Sequence, residues 1–66
     1  MQIILNSERH ELRRPMTVKE LLDELELDDR RVAVEINRRI LKKSEFEQVS
    51  VSEGDNLEVV HFVGGG

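Results

Sequence analysis

One stretch of the sequence, residues 17–26, has the periodicity of an amphipathic helix and constrains the fold more than any other feature. Thr17 followed by Glu20 forms a capping box, in which each side chain accepts a hydrogen bond from a backbone N–H at the start of a helix. The apolar residues that follow recur three and four positions apart, which places them on one face. They are Val18, Leu21, Leu22 and Leu25. The pattern predicts one main helix over residues 18–26, with one face turned to a core.

The rest of the chain alternates between apolar and polar residues, which is typical of half-buried strands. The sequence predicts strands over residues 2–6, 10–14, 32–36 and 57–63. A brief return strand is expected at Ile40-Leu41, and a single helical turn over residues 44–47 would place Phe46 on the core. Gly54 is expected to take a positive φ in the turn before the last strand.

This order of elements is that of the ubiquitin-like β-grasp, in which one helix covers one face of a mixed sheet. We therefore predict an α+β fold with a four- to five-stranded mixed sheet and one main helix. The first and last strands should be parallel neighbours at the sheet centre. The predicted inner face consists of Ile3, Leu5, Leu12, Val32, Val34, Ile36, Leu57 and Val59.

The length of 66 residues and the absence of cysteine limit what can stabilise the chain. Below about 70–80 residues a core rarely supplies more than ~3–5 kcal/mol, and no disulfide is available to add to it. Packing is therefore expected to hold the fold. The predicted division is a β-grasp domain over residues 1–63 and a flexible glycine tail over residues 64–66, because glycine loses the most conformational freedom on ordering.

The composition argues against several classes of function. Hydrophobic residues make up 38% of the chain and charged residues 36%, which suits a folded, soluble domain. The net charge is −4 and the basic pairs are scattered, so nucleic-acid binding is not expected. The longest apolar run is three residues, which predicts no signal peptide, no membrane span and a cytoplasmic location. His10 and His61 are far apart, so no metal site is predicted. No catalytic constellation is found, and the chain is not expected to be an enzyme.

A second set of apolar residues should lie on the sheet face away from the helix. Val60 and Phe62 share the parity of Glu58, which is typical of an outward-facing position. An uncovered apolar patch often marks an interaction site, although single exposed apolar residues are common. Four of these residues, Ile4, Ala33, Val60 and Phe62, are predicted at neighbouring positions, so the favoured interpretation is a docking surface for a partner protein, leading to the tail. The predicted partner-binding residues are Ile4, Ala33, Val60, Phe62 and Val63.

The sequence ends in Gly64, Gly65 and Gly66, and a free carboxylate is expected on Gly66. Three extended residues reach about 10 Å, and without side chains they could enter a channel that admits only backbone. A carboxylate is ionised at neutral pH and is a poor electrophile until it is activated. The end is therefore interpreted either as a reactive group delivered to a partner's active site or as a frayed terminus.

The last seven residues, 60–66 (VHFVGGG), resemble the C-terminus of ThiS-type sulfur carriers of thiamine biosynthesis. The likeness covers the whole chain. Its further parts are Thr17-Val18 followed by Leu21-Leu22, residues 32–37, and Gly54-Asp55. Members of that family often carry a proline near Lys42-Lys43 and a tryptophan or tyrosine in place of Phe46, departures that affect packing and not the tail.

The resemblance implies a protein cosubstrate. A ThiF-type adenylating enzyme would adenylate the carboxylate of Gly66, using ATP and Mg²⁺. A desulfurase or persulfide-bearing protein would supply sulfur, leaving a thiocarboxylate. Thiazole synthase would use that sulfur to build the thiazole ring of thiamine. The chain itself would bind no cofactor, because it contains no phosphate loop.

Two alternatives stay open at this point. The small subunit of molybdopterin synthase uses the same tail chemistry on a similar fold, although that family is usually longer. A non-covalent ubiquitin-like interaction domain would use the docking surface alone, and its glycine tail would be dispensable.

Overall fold

The computed structural model describes residues 1–62, which form a mixed five-stranded sheet, one α-helix, a small two-stranded ribbon and two 3-10 turns. The 3-10 turns are Asp29–Arg31 and Lys43–Glu45. The strands and the helix are β1 (Gln2–Leu5), β2 (Glu8–Glu11), β3 (Met16–Thr17), α1 (Val18–Glu24), β4 (Val32–Ile36), β5 (Arg39–Ile40), β6 (Ser50–Val51) and β7 (Asn56–His61).

The large sheet has the strand order β2-β1-β7-β4-β5, and β3 pairs with β6 in the ribbon. Strands β1 and β7 are parallel, with Leu5 opposite Leu57. Strand β7 is antiparallel to β4, with Val34 opposite Val59. The prediction of a β-grasp with its first and last strands as parallel neighbours is confirmed.

The capping box fixes the start of α1. The Thr17 side-chain oxygen accepts from the backbone N–H of Glu20 at 3.1 Å, and Glu20 Oε1 accepts from the backbone N–H of Thr17 at 2.9 Å. That backbone hydrogen bond is the main reason why the pKa of Glu20 lies below its ordinary value. The helix then buries Val18, Leu21 and Leu22 against the sheet. Helix start and buried face both agree with the sequence pattern.

The helix ends at Glu24, two residues earlier than predicted, because the chain turns at Glu26. Glu26 has a φ of 60°, in the left-handed region. Its N–H donates to the carbonyl of Asp23, and the N–H of Leu27 donates to that of Leu22. These two bonds form a Schellman motif, which usually places glycine at the left-handed position.

The core confirms most of the predicted inner face. Six of the eight predicted residues are buried, namely Ile3, Leu12, Val32, Val34, Ile36 and Leu57. Leu5 and Val59 are only partly buried and pack against the core from its edge. Phe46 is buried, as predicted, although the 3-10 turn beside it is Lys43–Glu45 and not 44–47.

The predicted bounds of the second strand are wrong. It covers Glu8–Glu11 and not residues 10–14, because the hairpin turn needs only two residues, Asn6 and Ser7. Both have positive φ, 50° and 69°, as the twist of a two-residue hairpin demands. Leu12 still reaches the core from just beyond the strand.

Two other turns also contain residues with positive φ. Asn37 and Arg38 repeat the two-residue arrangement between β4 and β5, with φ of 48° and 71°. Gly54 has a φ of 82°, which confirms the expected positive value.

The last strand, predicted over residues 57–63, begins at Asn56 and continues through His61. Its predicted end at Val63 lies outside the described residues.

The strain at Glu26 gives a stability prediction. Replacing it by glycine removes the steric cost of the left-handed conformation and should raise the free energy of unfolding by about 1 kcal/mol. In a domain of this size that corresponds to a melting temperature about 4–8 °C higher by circular dichroism. The matched control is Glu24→Gly within the helix, which should lower stability by about 0.5–1 kcal/mol. A lower melting temperature for Glu26→Gly would contradict the Schellman ending.

Candidate functional site

The outer face of the sheet, turned away from α1, carries exposed apolar side chains on β7. Along this strand Leu57 is buried, whereas Val60 is 57% exposed. Phe62, just beyond the strand, is 53% exposed. Val60 and Phe62 are thus exposed, as the predicted outward facing of the last strand requires, although His61 between them is exposed as well.

Neighbouring strands extend this surface. Ala33 on β4 lies directly opposite Val60 and is exposed. Ile40 on β5 lies opposite Glu35, on the same outer face, and is 74% exposed. We call the set Ala33, Ile40, Val60 and Phe62 the outer patch. The sequence predicted the outward position of three of these residues but not that of Ile40. A strand of two residues is too short to show the alternation that indicates which face of the sheet a side chain lies on.

Two sets of contacts hold β5 and thereby fix the direction of Ile40. The N–H of Leu41 donates to the carbonyl of Val34 at 2.9 Å. Arg39 Nη1 lies 2.9 Å from Glu45 Oε2, joining β5 to the 3-10 turn that follows it. The most exposed large apolar side chain of residues 1–62 thus projects from backbone that is held on both sides.

Ile4 shares the outer face but does not lie in the outer patch. It is half-buried and stands opposite Asn56, whereas Val60 is four residues further along β7. At about 3.3 Å per residue, that is a separation of roughly 13 Å along the strand. The expectation that Ile4 neighbours Val60 is therefore wrong, and a role of Ile4 in partner binding stays a prediction.

The side chain of Asn6 supports β7 where β1 has ended. Its Oδ1 accepts from the N–H of Val59 at 2.7 Å, and its Nδ2 donates to the carbonyl of Val59 at 3.2 Å. On the other side, the N–H of Phe62 donates to the carbonyl of Arg31 at 2.8 Å. The path of the chain is therefore held by hydrogen bonds up to Phe62. The sequence signal for Asn6 was only that of a turn residue.

The predicted glycine tail lies beyond the part of the chain that the structure describes. Val63, Gly64, Gly65 and Gly66 lie outside the described residues. The flexibility of the tail, the contact of Val63 with a partner and the chemistry of the Gly66 carboxylate therefore stay predictions.

Residues 1–62 contain neither a cluster of metal-ligating side chains nor a membrane-spanning helix. No group of three or more histidine, cysteine, aspartate or glutamate side chains there could hold a metal ion. No helix in this part of the chain is long and apolar enough to cross a membrane.

Comparison with known proteins identifies the family. The sequence model of the ThiS family matches residues 2–66. The chain belongs to the ThiS family. Among solved structures, it is similar to the crystal structure of the thiamine biosynthesis protein ThiS from Geobacter metallireducens, with a TM-score of 0.86 and 30% identity over 100% of both chains. The ubiquitin-like β-grasp prediction and the resemblance stated from the sequence are both confirmed.

Curated relatives are of two kinds. The sulfur carrier protein ThiS of Bacillus subtilis (strain 168) is 40% identical over 50 residues, 76% of each chain. The thiazole synthase of Paramagnetospirillum magneticum is 48% identical over 66 residues, which are 100% of this chain but 20% of that protein. The chain thus spans about a fifth of the length of the thiazole synthases that it matches.

The names of these relatives describe the role of the family. ThiS proteins are small sulfur carriers of thiamine biosynthesis and not catalysts, which agrees with the prediction that this chain is not an enzyme. The match also favours this family over the small subunit of molybdopterin synthase.

Leu57 lies on the core side of β7, whereas Phe62 lies on the outer face, and this difference gives a prediction. Phe62→Glu should fold and lose less than about 1 kcal/mol, because about half of the residue's surface is already exposed to water. Leu57→Glu should unfold the domain, because it would bury an unpaired charge in the central strand. Circular dichroism and thermal melting of the two variants distinguish them. Unfolding by Phe62→Glu would show that Phe62 belongs to the core.

Proposed function

We propose that this chain carries sulfur as a thiocarboxylate on Gly66 and delivers it to thiazole synthase for the thiazole ring of thiamine. The observation that supports this most strongly is the family match over residues 2–66, which includes the terminal glycines. Adenylation acts on an α-carboxylate, so Gly66 must be the terminal residue of the active form. The cytoplasm, where ATP is available, is the proposed location.

The proposed chemistry has two stages. A carboxylate oxygen of Gly66 attacks the α-phosphorus of ATP on a ThiF-type adenylating enzyme, and pyrophosphate leaves. The acyl adenylate has AMP as a good leaving group, which the free carboxylate lacks. A persulfide from a desulfurase or carrier then attacks the acyl carbon and AMP departs. A thiol cleaves the resulting acyl disulfide and leaves the thiocarboxylate. ATP and Mg²⁺ are bound by the adenylating enzyme in this scheme.

The outer patch supports the proposal as the surface on which the partners dock. Its apolar side chains are exposed on a sheet whose hydrogen bonds continue to Phe62. Docking there would place residues 63–66 next to the bound partner. Because the sheet is already formed, little conformational entropy would be lost in ordering the patch itself.

The names of the relatives support thiazole synthase as the recipient. In the thiazole synthases of Paramagnetospirillum magneticum and Magnetococcus marinus, a segment similar to this whole chain forms part of the synthase polypeptide, at 48% and 39% identity. A segment that shares a polypeptide with the synthase is held close to it, and we propose that this chain reaches the same position by docking.

The test of sulfur carriage is the mass of the chain after incubation with ATP, Mg²⁺, a ThiF-type adenylating enzyme and sulfide. Mass spectrometry should show one oxygen replaced by sulfur at Gly66. Deleting Gly65-Gly66 should abolish this change and leave the melting temperature of the domain nearly unaltered. An unmodified carboxylate in the presence of an active enzyme would refute the proposal and favour a non-covalent interaction domain.

Docking through the outer patch has its own test. Phe62→Glu should weaken binding to the adenylating enzyme by about 2–4 kcal/mol in calorimetry, because a charge would be pressed into an apolar contact. The matched control is Gln48→Glu, which adds the same charge at an exposed residue outside the outer patch. Normal binding by a folded Phe62→Glu variant would mean that partners dock elsewhere.

A further inference from the structure

A shallow depression of about 140 Å³ lies on the outer face, beside the outer patch. Three exposed apolar side chains line it, from Ala33, Ile40 and Val60. Val34 and two acidic residues, Glu35 and Glu58, also line it, and its surface is almost entirely apolar. The depression therefore combines an apolar surface with two acidic groups.

The two glutamates are a like-charge pair. Glu35 on β4 lies directly opposite Glu58 on β7. Side chains in such positions have Cβ atoms about 4.5–5.5 Å apart, and like charges there are destabilising. Within residues 1–62 neither carboxylate forms a salt bridge within 4.0 Å. Arg38 lines the adjoining concavity with them but stays beyond that distance.

The shape and charge of the depression favour a long cationic side chain. Its methylene groups would cover Ile40 and Val60 while its charged head reaches the carboxylates. A guanidinium suits two neighbouring carboxylates best, because its donors spread in a plane and form charge-assisted hydrogen bonds. An apolar side chain would leave both carboxylates against an apolar surface, which costs free energy. A second copy of this chain would bring its own glutamates to the same face, at a net charge of −4 per chain.

We propose that an arginine side chain of thiazole synthase occupies this depression, between Ile40 and the Glu35–Glu58 pair. The choice of thiazole synthase rests on the proposed function. The acidic pair is then a specificity determinant, because its repulsion in the free carrier is relieved only by a partner that supplies a cation at this position. Removal of the pair should have opposite effects on the free chain and on the complex.

The test uses the double variant Glu35→Gln/Glu58→Gln, which keeps the shape of the side chains. The melting temperature of the free variant should equal or exceed that of the wild type. Its affinity for purified thiazole synthase should fall at least about tenfold in calorimetry, with a weaker dependence on salt. The control is Glu24→Gln/Glu47→Gln, the same charge change at exposed positions outside the outer face, which should keep wild-type affinity.

Arginine itself is identified by chemical modification. Phenylglyoxal treatment of thiazole synthase should abolish binding, and the wild-type chain, but not the double variant, should protect against it. The inference would be overturned if the double variant bound thiazole synthase as tightly as the wild type or more tightly. It would also be overturned if the control variant lost as much affinity as the double variant, or if the wild-type chain did not protect thiazole synthase from phenylglyoxal. Failure of the wild type to bind thiazole synthase, or its dimerisation through this face in sedimentation, would also overturn it. Thiocarboxylate formation, measured separately, would still stand in those cases.

Discussion

The fold depends on the pairing of β7 with two strands at once. β7 is parallel to β1 and antiparallel to β4, and it carries Leu57, which is completely buried, into the centre of the core. The helix packs over a face that exists only once these three strands are joined. The Asn6 side chain extends the support on one side, and the backbone bond from Phe62 to Arg31 extends it on the other. The central strand is thereby held along its length.

Side chains on the two faces of β7 have different roles, one in the stability of the fold and the other in the proposed binding of partners. Leu57 on the inward side of β7 belongs to the core, whereas Val60 on its outward side and Phe62 just beyond the strand form half of the outer patch. Changes on one face should therefore affect folding and changes on the other should affect binding. The Glu35–Glu58 pair belongs to the second group, although it also costs some stability in the free chain.

The sequence allowed prediction of those features that have a periodicity or a recognisable local motif. The capping box, the helix face, the strand order and the outward facing of Ala33, Val60 and Phe62 all follow from such patterns. Element ends were less predictable. Glu26, Asn6 and Ser7 adopt positive φ without being glycine. The early helix end therefore had no composition signal, and Asn6-Ser7 indicated a turn but not that the turn has only two residues. Ile40 was missed because its facing is fixed by pairing with β4, and Ile4 was misplaced because the stagger of β1 against β7 is a property of the assembled sheet.

The central position of β7 also affects the biosynthesis of the protein. The strand at the middle of the sheet pairs with residues more than fifty positions earlier, so it is synthesised long after its partner β1. A chain interrupted before residue 56 lacks that strand and cannot close its core, so it remains open to proteases. Resistance to proteolysis is then acquired only after translation has passed β7. A cell would thus degrade the interrupted chains that lack β7 and retain those that contain it.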